Sequence, residues 1–183
     1  ALEALFADHG HRIAAFIGEP VIGAGGVYPP ADDYWPRIAA LCKAYDVLLI
    51  ADEVVTGFGR TGRMWGVERY GVEPDMLVFA KGATSGYQPL GGVLVGPRVA
   101  EPFWDKPGSL FRHGYTYQGH GGAMAAAMAN LDILEREGLI ARGASLEPGL
   151  DGALGTLADA PLGAEIRTVG LMGAVELSVP PPV

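Results

Sequence analysis

Two side chains able to do chemistry together follow two apolar segments of the sequence. Asp52 comes directly after the apolar run 47–51, and Lys81 comes directly after the apolar run 76–80. Short apolar runs without polar alternation predict strands of a parallel sheet that is covered on both faces. Because ligands of such sheets bind beyond the carboxyl ends of the strands, we expect both side chains to line one crevice.

A carboxylate and an amine in one crevice suit a particular cofactor. The amine can form a Schiff base with the aldehyde of pyridoxal phosphate, and the carboxylate can hold the proton of the pyridine ring. Of the lysines in the chain, Lys81 alone has an apolar setting flanked by glycine. Each residue also has a structural interpretation, since a strand-end Asp often caps the next turn and a strand-end Lys often extends to solvent.

Other motifs in the sequence predict chemistry less well. Residues 57–62 match the G-x-G-x-x-G pattern of dinucleotide-binding folds, but they neither follow a strand directly nor precede a clear helical pattern. Residues 48–53 resemble one element of P-loop ATPases, although the sequence lacks the partner motif, and it also lacks the G-x-S-x-G motif of serine hydrolases. His113 and His120 have no Cys or carboxylate at ligand-like spacing, so we expect them to stabilise turns and expect no metal site.

Thr116 is a further candidate. It lies in the segment 113–120, among glycine and aromatic residues, just before a long apolar helical pattern. Hydroxyl and backbone N–H groups ahead of a helix N-terminus are suited to phosphate binding. A turn or a helix cap is an equally good interpretation of the same hydroxyl.

The elements that would position these side chains alternate along the chain. We expect strands at residues 13–18, 47–51, 76–80 and 92–95, and helices at residues 1–9, about 33–45 and about 122–137. This alternation predicts an α/β sheet. The last of these helices is apolar nearly all round and should be buried.

The character of the chain changes after Gly138. A helix at about 139–157 and two strands at about 165–169 and 171–178 predict the start of a smaller α+β domain. We therefore expect residues 1–137 to be part of a large domain and residues 138–183 to begin a small, incomplete one. The chain starts without Met and stops at a run of prolines, so we expect it to be a piece of a longer protein.

Composition narrows the possible partners. The net charge of −8 argues against nucleic acid, since phosphate binding needs clustered Lys and Arg. No apolar stretch is long enough to span a bilayer, so we expect no membrane partner. The single cysteine, Cys42, rules out an internal disulfide and suits a reducing cytoplasm; its place in an expected helix indicates a buried structural thiol.

Several segments together are similar to the class III pyridoxal-phosphate-dependent aminotransferases. The matching segments extend over nearly the whole chain and are 18–21 with 25–26, 51–62, 80–82, 89–92 and 113–117. The separation between Asp52 and Lys81 is also typical of that family. The resemblance implies the large domain of a fold-type-I enzyme, with a mainly parallel sheet between helices, followed by the start of the C-terminal small domain.

The resemblance also implies a role for each candidate residue. Lys81 would form the Schiff base, Asp52 would pair with the pyridine nitrogen, and Val54 would pack on the face of the ring. Thr116 would reach the cofactor phosphate of the neighbouring subunit, so the enzyme would be a homodimer with shared active sites. We expect Lys81 to be desolvated, which favours the neutral amine that is needed as a nucleophile.

Two positions depart from the pattern of that family. Many members have Gln where this chain has Val55, and members acting on ornithine or 4-aminobutyrate tend to have Glu where this chain has Ala24. Both departures are compatible with the omega-transaminase branch, which resembles the chain also at residues 84–90. That branch typically moves an amino group from an amine or ω-amino acid to pyruvate or another keto acid.

Two alternatives stay open. A pyridoxal-phosphate-dependent aminomutase or racemase would share the fold and the motifs. A truncated fragment could instead fold or dimerise without holding cofactor, because the phosphate loop and the carboxylate-binding arginine of the family are not found in this sequence.

Overall fold

A four-stranded sheet forms the centre of the computed structural model, which describes residues 1–106, 108–160 and 163–178. The strands are, in spatial order, β1 (Ala15–Gly18), β2 (Leu48–Asp52), β3 (Met76–Phe79) and β4 (Gly92–Val95). The first three run parallel, and β4 is antiparallel to β3. The expected α/β architecture with a mainly parallel sheet is therefore confirmed.

Five α-helices and a hairpin accompany this sheet in the described part of the chain. They are α1 (Leu2–His9), α2 (Tyr34–Ala44), α3 (Pro97–Trp104), α4 (Gly121–Arg136), α5 (Leu139–Gly155) and the antiparallel pair β5 (Gly163–Val169) and β6 (Met172–Leu177). Helix α3 was not predicted: Pro97 suits a first helical turn, but Pro102 inside the helix interrupts the pattern. None of the described helices combines the length and apolarity that a membrane crossing requires. Residues 179–183, the last part of the expected small domain, lie outside the described residues.

One face of the sheet carries the main hydrophobic core. Leu49 and Ala51 occupy alternate positions of β2, so both lie on the same face of the sheet. They pack in a cluster that contains Trp35 of α2 and Phe6 of α1. The indole N–H of Trp35 donates to the carbonyl of Pro20 at 3.2 Å, which ties α2 to the segment after β1. The expected buried thiol, Cys42, lies in the same cluster, where burial raises its pKa.

The other face of the sheet is more open than expected. Ile17 of β1 and Val93 of β4 are 58% and 50% exposed, so the prediction of a sheet covered on both faces is wrong for the described chain. The burial predicted for α4 is wrong as well, since Met124 and Met128 are 44% and 60% exposed. An apolar helix buries only those faces that meet a neighbour, and α4 packs mainly on α5 and on the turn after β3.

Candidate active site

The carboxyl ends of three parallel strands meet at one edge of the sheet. Gly18 of β1 lies opposite Ala51 of β2, and Asp52 lies opposite Val78 of β3. The turn that begins at Lys81 follows β3 at the same edge. The register of the sheet therefore brings the segments that carry Asp52 and Lys81 together.

Asp52 ends β2 with a partly buried side chain. Because side chains alternate along a strand, Asp52 lies on the face opposite Ala51 and the core. Its Oδ1 accepts a hydrogen bond from the backbone N–H of Val54 at 3.1 Å, so it does cap the following turn. This contact engages one carboxylate oxygen and fixes the orientation of the other. Val54 itself is partly buried at this edge.

Glu53, which sequence reasoning did not single out, is fully buried beside Asp52. Its Oε2 accepts from the hydroxyl of Thr56 and from the backbone N–H of Gly66 at 2.7 Å, and its Oε1 accepts from the N–H of Val67 at 2.9 Å. Burial raises the pKa of Glu53 and outweighs the opposing effect of these hydrogen bonds. Glu53 thus joins the end of β2 to the first turn of the 3₁₀ helix Gly66–Tyr70.

Lys81 stands on a tight turn in an unusual backbone conformation. Its φ is 38°, in the left-handed region that few residues other than glycine adopt. The turn continues as the 3₁₀ helix Lys81–Ala83, in which the N–H of Ala83 donates to the carbonyl of Ala80 at 3.0 Å. Lys81 is exposed, so the desolvation expected from the sequence is not present in the described chain.

The side chain of Phe58 packs against the turn that begins at Lys81. Phe58 also has a positive φ, 57°, and a Cβ atom added to Gly82 would lie 2.9 Å from the Cβ of Phe58. The ring of Phe58 packs edge-on against Trp65 and Phe79, with centroid distances of 5.0 and 6.0 Å. Gly82 is therefore needed for the close approach of the turn to this aromatic cluster.

The glycine-rich segment 57–62 packs against α5. A Cβ atom added to Gly59 would lie 2.9 Å from Cδ1 of Ile140, and one added to Gly62 would lie 3.0 Å from the Cα of Ala144. Both glycines have positive φ, 93° and 78°. The match to the dinucleotide pattern therefore has a packing role in this fold.

The turn between β5 and β6 contacts the same glycine-rich segment. The backbone N–H of Leu171 donates to the carbonyl of Arg60 at 2.8 Å, and that of Gly170 donates to Oε1 of Glu147 at 2.8 Å. Glu147 also forms a two-pronged ion pair with Arg69, with both N–O distances at 3.0 Å. The guanidinium of Arg69 lowers the pKa of Glu147. Backbone and charged groups thus hold the hairpin against the large part of the chain.

Val55 lies in a small apolar cluster between the hairpin and the loop after β1. A Cβ atom added to Gly23 would lie only 2.8 Å from Cγ1 of Val55, so the loop passes directly over this side chain. The loop is held at its start by Glu19, whose Oε2 accepts from the N–H of Gly23 at 2.9 Å. Ala24 is exposed on the same loop. The other members of the cluster are Val21, Val27, Val169 and Met172.

Thr116 and the contact of α4 with the Lys81 turn lie at opposite sides of the helix start, since Thr116 precedes the helix and the contact is made from its second half. Thr116 lies in an exposed turn just before that helix, which begins at Gly121. Asn130 of this helix contacts the Lys81 turn, because its side-chain N–H donates to the carbonyl of Gly82 at 2.8 Å. At 1.5 Å per residue, Gly121 and Asn130 are about 13 Å apart along the helix axis.

The two histidines of this segment have structural contacts. His120 is the N-cap of α4, and its Nδ1 accepts from the backbone N–H of Ala123 at 3.2 Å. The ring of His113 packs between those of Phe111 and Tyr115. Within the part of the chain that the structure describes, no three potential metal-ligating side chains come together.

Known proteins resemble the chain in both sequence and structure. The family model "Aminotransferase class-III" matches residues 1–182. The chain is 50% identical to the diaminobutyrate–2-oxoglutarate transaminase of Halomonas elongata, over 98% of this chain and 39% of that protein. It is 48% identical to the putrescine–pyruvate aminotransferase of Pseudomonas aeruginosa, over 91% of this chain and 36% of that protein.

A solved structure extends the similarity to the fold. The (S)-enantioselective omega-transaminase from Thermomicrobium roseum matches with a TM-score of 0.90 and 50% identity, over 96% of this chain and 39% of that one. The chain therefore spans only 39% of the length of this neighbour and of the first curated relative. By the match along nearly its whole length, the chain belongs to the class III aminotransferase family.

Proposed function

We propose that the complete protein containing this chain is a pyridoxal-phosphate-dependent aminotransferase. It moves an amino group from an amine or ω-amino acid to a keto acid such as pyruvate. The observation that carries the proposal is the register of β2 and β3, which delivers a carboxylate, Asp52, and the turn of an amine, Lys81, to one edge of the sheet. Membership of the class III family supports the same reaction.

The groups at this edge fit the cofactor chemically. Adjacent strands lie about 5 Å apart, so a ring of pyridine size can contact the segments after both β2 and β3. The turn contact with Val54 already orients the carboxylate of Asp52, at 3.1 Å. When bound, pyridoxal phosphate supplies a ring that draws electrons from the reacting carbon of the substrate.

Each candidate residue has a definite task in this proposal. Lys81 is the amine that bonds to the cofactor and later carries the proton between substrate atoms. Asp52 keeps the pyridine nitrogen protonated, and Val54 packs on the ring and excludes water. Thr116 lies on an exposed turn before α4, and we assign it to the cofactor phosphate of the neighbouring subunit in a homodimer.

The surroundings of Val55 favour the omega-transaminase branch within the proposal. An apolar side chain in the cluster below the Gly23 loop offers no hydrogen bond to the cofactor. The exposed Ala24 likewise offers no carboxylate to pair with a substrate-gating arginine. Two relatives act, by their names, on diaminobutyrate and on putrescine, and amine donors of this type are therefore sensible first substrates to test.

We also propose a domain boundary near Gly138, with residues 1–137 in the cofactor-binding large domain and residues 138–183 opening the small domain. Gly138 has a φ of 60° between α4 and α5, a conformation suited to a sharp change of direction. Helix α5 packs against the hairpin of β5 and β6, which supports a separate unit.

The buried, unpaired thiol of Cys42 is compatible with a cytoplasmic location.

Borohydride reduction of the complete protein with bound pyridoxal phosphate tests the central assignment. We expect the cofactor to be fixed to the peptide that contains Lys81, and Lys81→Ala to abolish both labelling and turnover. Labelling at Lys43 or Lys106 would show that another lysine holds the cofactor. A protein that develops no colour with pyridoxal phosphate would be the non-catalytic alternative.

The acceptor requirement separates the two enzymatic alternatives. An aminotransferase should consume an amine donor continuously only when a keto acid such as pyruvate is supplied. An aminomutase or racemase should convert its substrate without added acceptor. Measuring product with and without pyruvate, with the Lys81→Ala variant as the blank, distinguishes these reactions.

A further inference from the structure

The side chain of Asn130, in the second half of α4, contacts the turn that follows Lys81 with every polar atom it has. Its Nδ2 donates to the carbonyl of Gly82 at 2.8 Å and to that of Ala83 at 3.1 Å. Its Oδ1 accepts from the hydroxyl of Ser85 at 2.7 Å. One side chain thus binds three residues of a turn that is 45 to 48 residues away in sequence.

The turn held in this way is strained. Both Lys81 and Ser85 have positive φ, 38° and 50°, although neither is glycine. Such conformations persist only where the surrounding structure holds them. The backbone bonds from the N–H of Thr84 to Lys81 and from that of Ser85 to Gly82 are long, at 3.4 and 3.3 Å, although the first bond of the turn, from Ala83 to Ala80, is 3.0 Å.

Asparagine is an unexpected residue at this place in the helix. Helix α4 is otherwise rich in alanine, and Asn is a poorer helix former than Ala. Only a primary amide of this length offers two N–H donors to two carbonyl oxygens and an acceptor to a hydroxyl. The carboxylate of Asp would supply no donor, and a hydroxyl would supply one.

We propose that Asn130 is a positioning residue for Lys81. Its amide fixes the turn on which the candidate nucleophile stands, and so sets where the amine of Lys81 points. The inference rests on the proposed function, because it gives Asn130 a purpose only if Lys81 holds the cofactor. Asn130 itself acts through the turn and has no contact with the reacting atoms.

Four variants of the complete protein separate this role from general stability. Asn130→Asp keeps the size and the acceptor for Ser85 but removes both donors to the carbonyl groups. Asn130→Ala removes all three contacts, and Ser85→Ala removes only one. Asp132→Asn changes an exposed residue of the same helix and controls for altered charge on α4.

The first measurement uses protein without cofactor. Hydrogen exchange of the peptide spanning residues 82–88 should be at least about tenfold faster in Asn130→Asp and Asn130→Ala than in wild type, because the turn opens more often. Ser85→Ala should change the exchange by less than about threefold, because it keeps both amide-to-carbonyl bonds. Asp132→Asn should exchange like wild type.

The second measurement follows Lys81 directly. The rate at which borohydride fixes pyridoxal phosphate to Lys81, and kcat, should fall about 10- to 100-fold in Asn130→Asp, since a displacement near 1 Å is sufficient for such a loss. KM for the amine donor should stay within about threefold, because substrate contacts are untouched. Asn130→Ala provides the same comparison if the Asp variant does not fold.

Three results would overturn the inference, and they are distinguishable. If wild type is labelled at Lys81 while Asn130→Asp and Asn130→Ala match it in exchange and in labelling rate, Asn130 has no positioning role and the proposed function stands. If wild type is not labelled at Lys81 at all, the proposed function fails and the inference fails with it. Slower labelling with unchanged exchange would also contradict the inference, because the turn would not be the route of the effect.

Discussion

One carboxylate oxygen of Asp52 stabilises a turn, while the proposed chemistry needs the negative charge. These two roles separate in Asp52→Asn, because the amide oxygen can still accept the hydrogen bond from Val54 but no longer holds a pyridinium proton. We expect the variant to fold and bind cofactor but to lose about 2–4 kcal/mol of transition-state stabilisation, a fall in kcat of roughly 10²-fold or more. Steady-state kinetics of the complete protein measures this.

The matched control for Asp52→Asn is Asp33→Asn, which removes an exposed carboxylate that pairs with Arg37 at 3.4 Å. It should leave kcat unchanged. If Asp52→Asn also keeps the kcat of wild type, the only role of Asp52 is the turn cap.

Glu53 makes stability depend on pH in a defined direction. Burial raises its pKa above the unfolded value of 4.5, so the folded state binds more protons than the unfolded state between the two values. The free energy of unfolding therefore falls as the pH rises through this window. Below the unfolded value the neutral carboxyl removes this penalty, and above the folded value the cost of burying the charge is fully present.

Glu53→Gln should remove this dependence and leave one buried N–H without a partner. At pH 7 we expect a loss of about 1–3 kcal/mol in the free energy of unfolding. The difference from wild type should grow as the pH falls towards 5, because only wild type gains stability there. Chemical denaturation at both pH values, with the exposed Glu135→Gln as a control, checks the sign; a difference that shrinks towards acid contradicts it.

At the scale of elements, the hairpin of β5 and β6 meets the glycine-rich segment through backbone atoms. A Cβ atom added to Gly170 would lie 2.6 Å from the carbonyl oxygen of Arg60 and would also clash with the Cα of Thr61. Since Gly170 has a φ of 57°, Gly170→Ala adds both strain and overlap. We expect it to lower the free energy of unfolding by about 2–4 kcal/mol, measured by denaturant titration.

Two glycines provide controls for Gly170→Ala. Gly71 has a φ of 64° with no atom within 4 Å of an added Cβ, so Gly71→Ala reports the strain alone. Gly149, inside α5, has neither problem, and Gly149→Ala should stabilise the helix by about 0.5–1 kcal/mol. If Gly170→Ala costs no more than Gly71→Ala, the close contact with the glycine-rich segment is unimportant for stability.

The elements differ in how far the sequence predicts them. Strands β2 and β3 follow from short apolar runs that end at a charged residue, because a run of this length without polar alternation is typical of a parallel strand. The burial of α4 could not be predicted, since it depends on which neighbours the helix meets. The contacts of Glu53 and Asn130 were also missed, because all their partners except Thr56 are 13 to 48 residues distant and are brought near only by the fold. The positive φ of Lys81 has no local signal in its residue type.

At the scale of the whole molecule, the proposed dimer predicts how mutations combine between subunits. Thr116→Ala should weaken cofactor affinity by about 1–3 kcal/mol, the value of a hydrogen bond to a charged group, with a smaller effect on the chemical step. In mixed dimers, one Thr116→Ala chain and one Lys81→Ala chain leave one site with both changes and one with neither. Such dimers should keep about half of the wild-type activity if Thr116 serves the neighbouring site.

Activity of the mixed dimers decides between two arrangements. Negligible activity would show that Thr116 binds the phosphate in the site of its own chain, because each site would then carry one damaging change. All dimers are assayed at a pyridoxal phosphate concentration that saturates the wild type but not the Thr116→Ala homodimer, and the homodimers of each variant set the two baselines.

The position of helix α4 restricts where residues can be inserted into this chain or deleted from it. Thr116 lies in the turn just before this helix and Asn130 lies in its second half, so in the proposed dimer the helix sets the distance between the phosphate contact of one site and the lysine turn of the other. Inserting or deleting a single residue between Gly121 and Asn130 would rotate Asn130 by about 100° and shift it by about 1.5 Å relative to the start of the helix. Substitutions on the exposed side of this helix should be tolerated, whereas a change in its length should not. Homologous enzymes built on the same dimer are therefore expected to differ in the composition of this segment but to agree in its residue count.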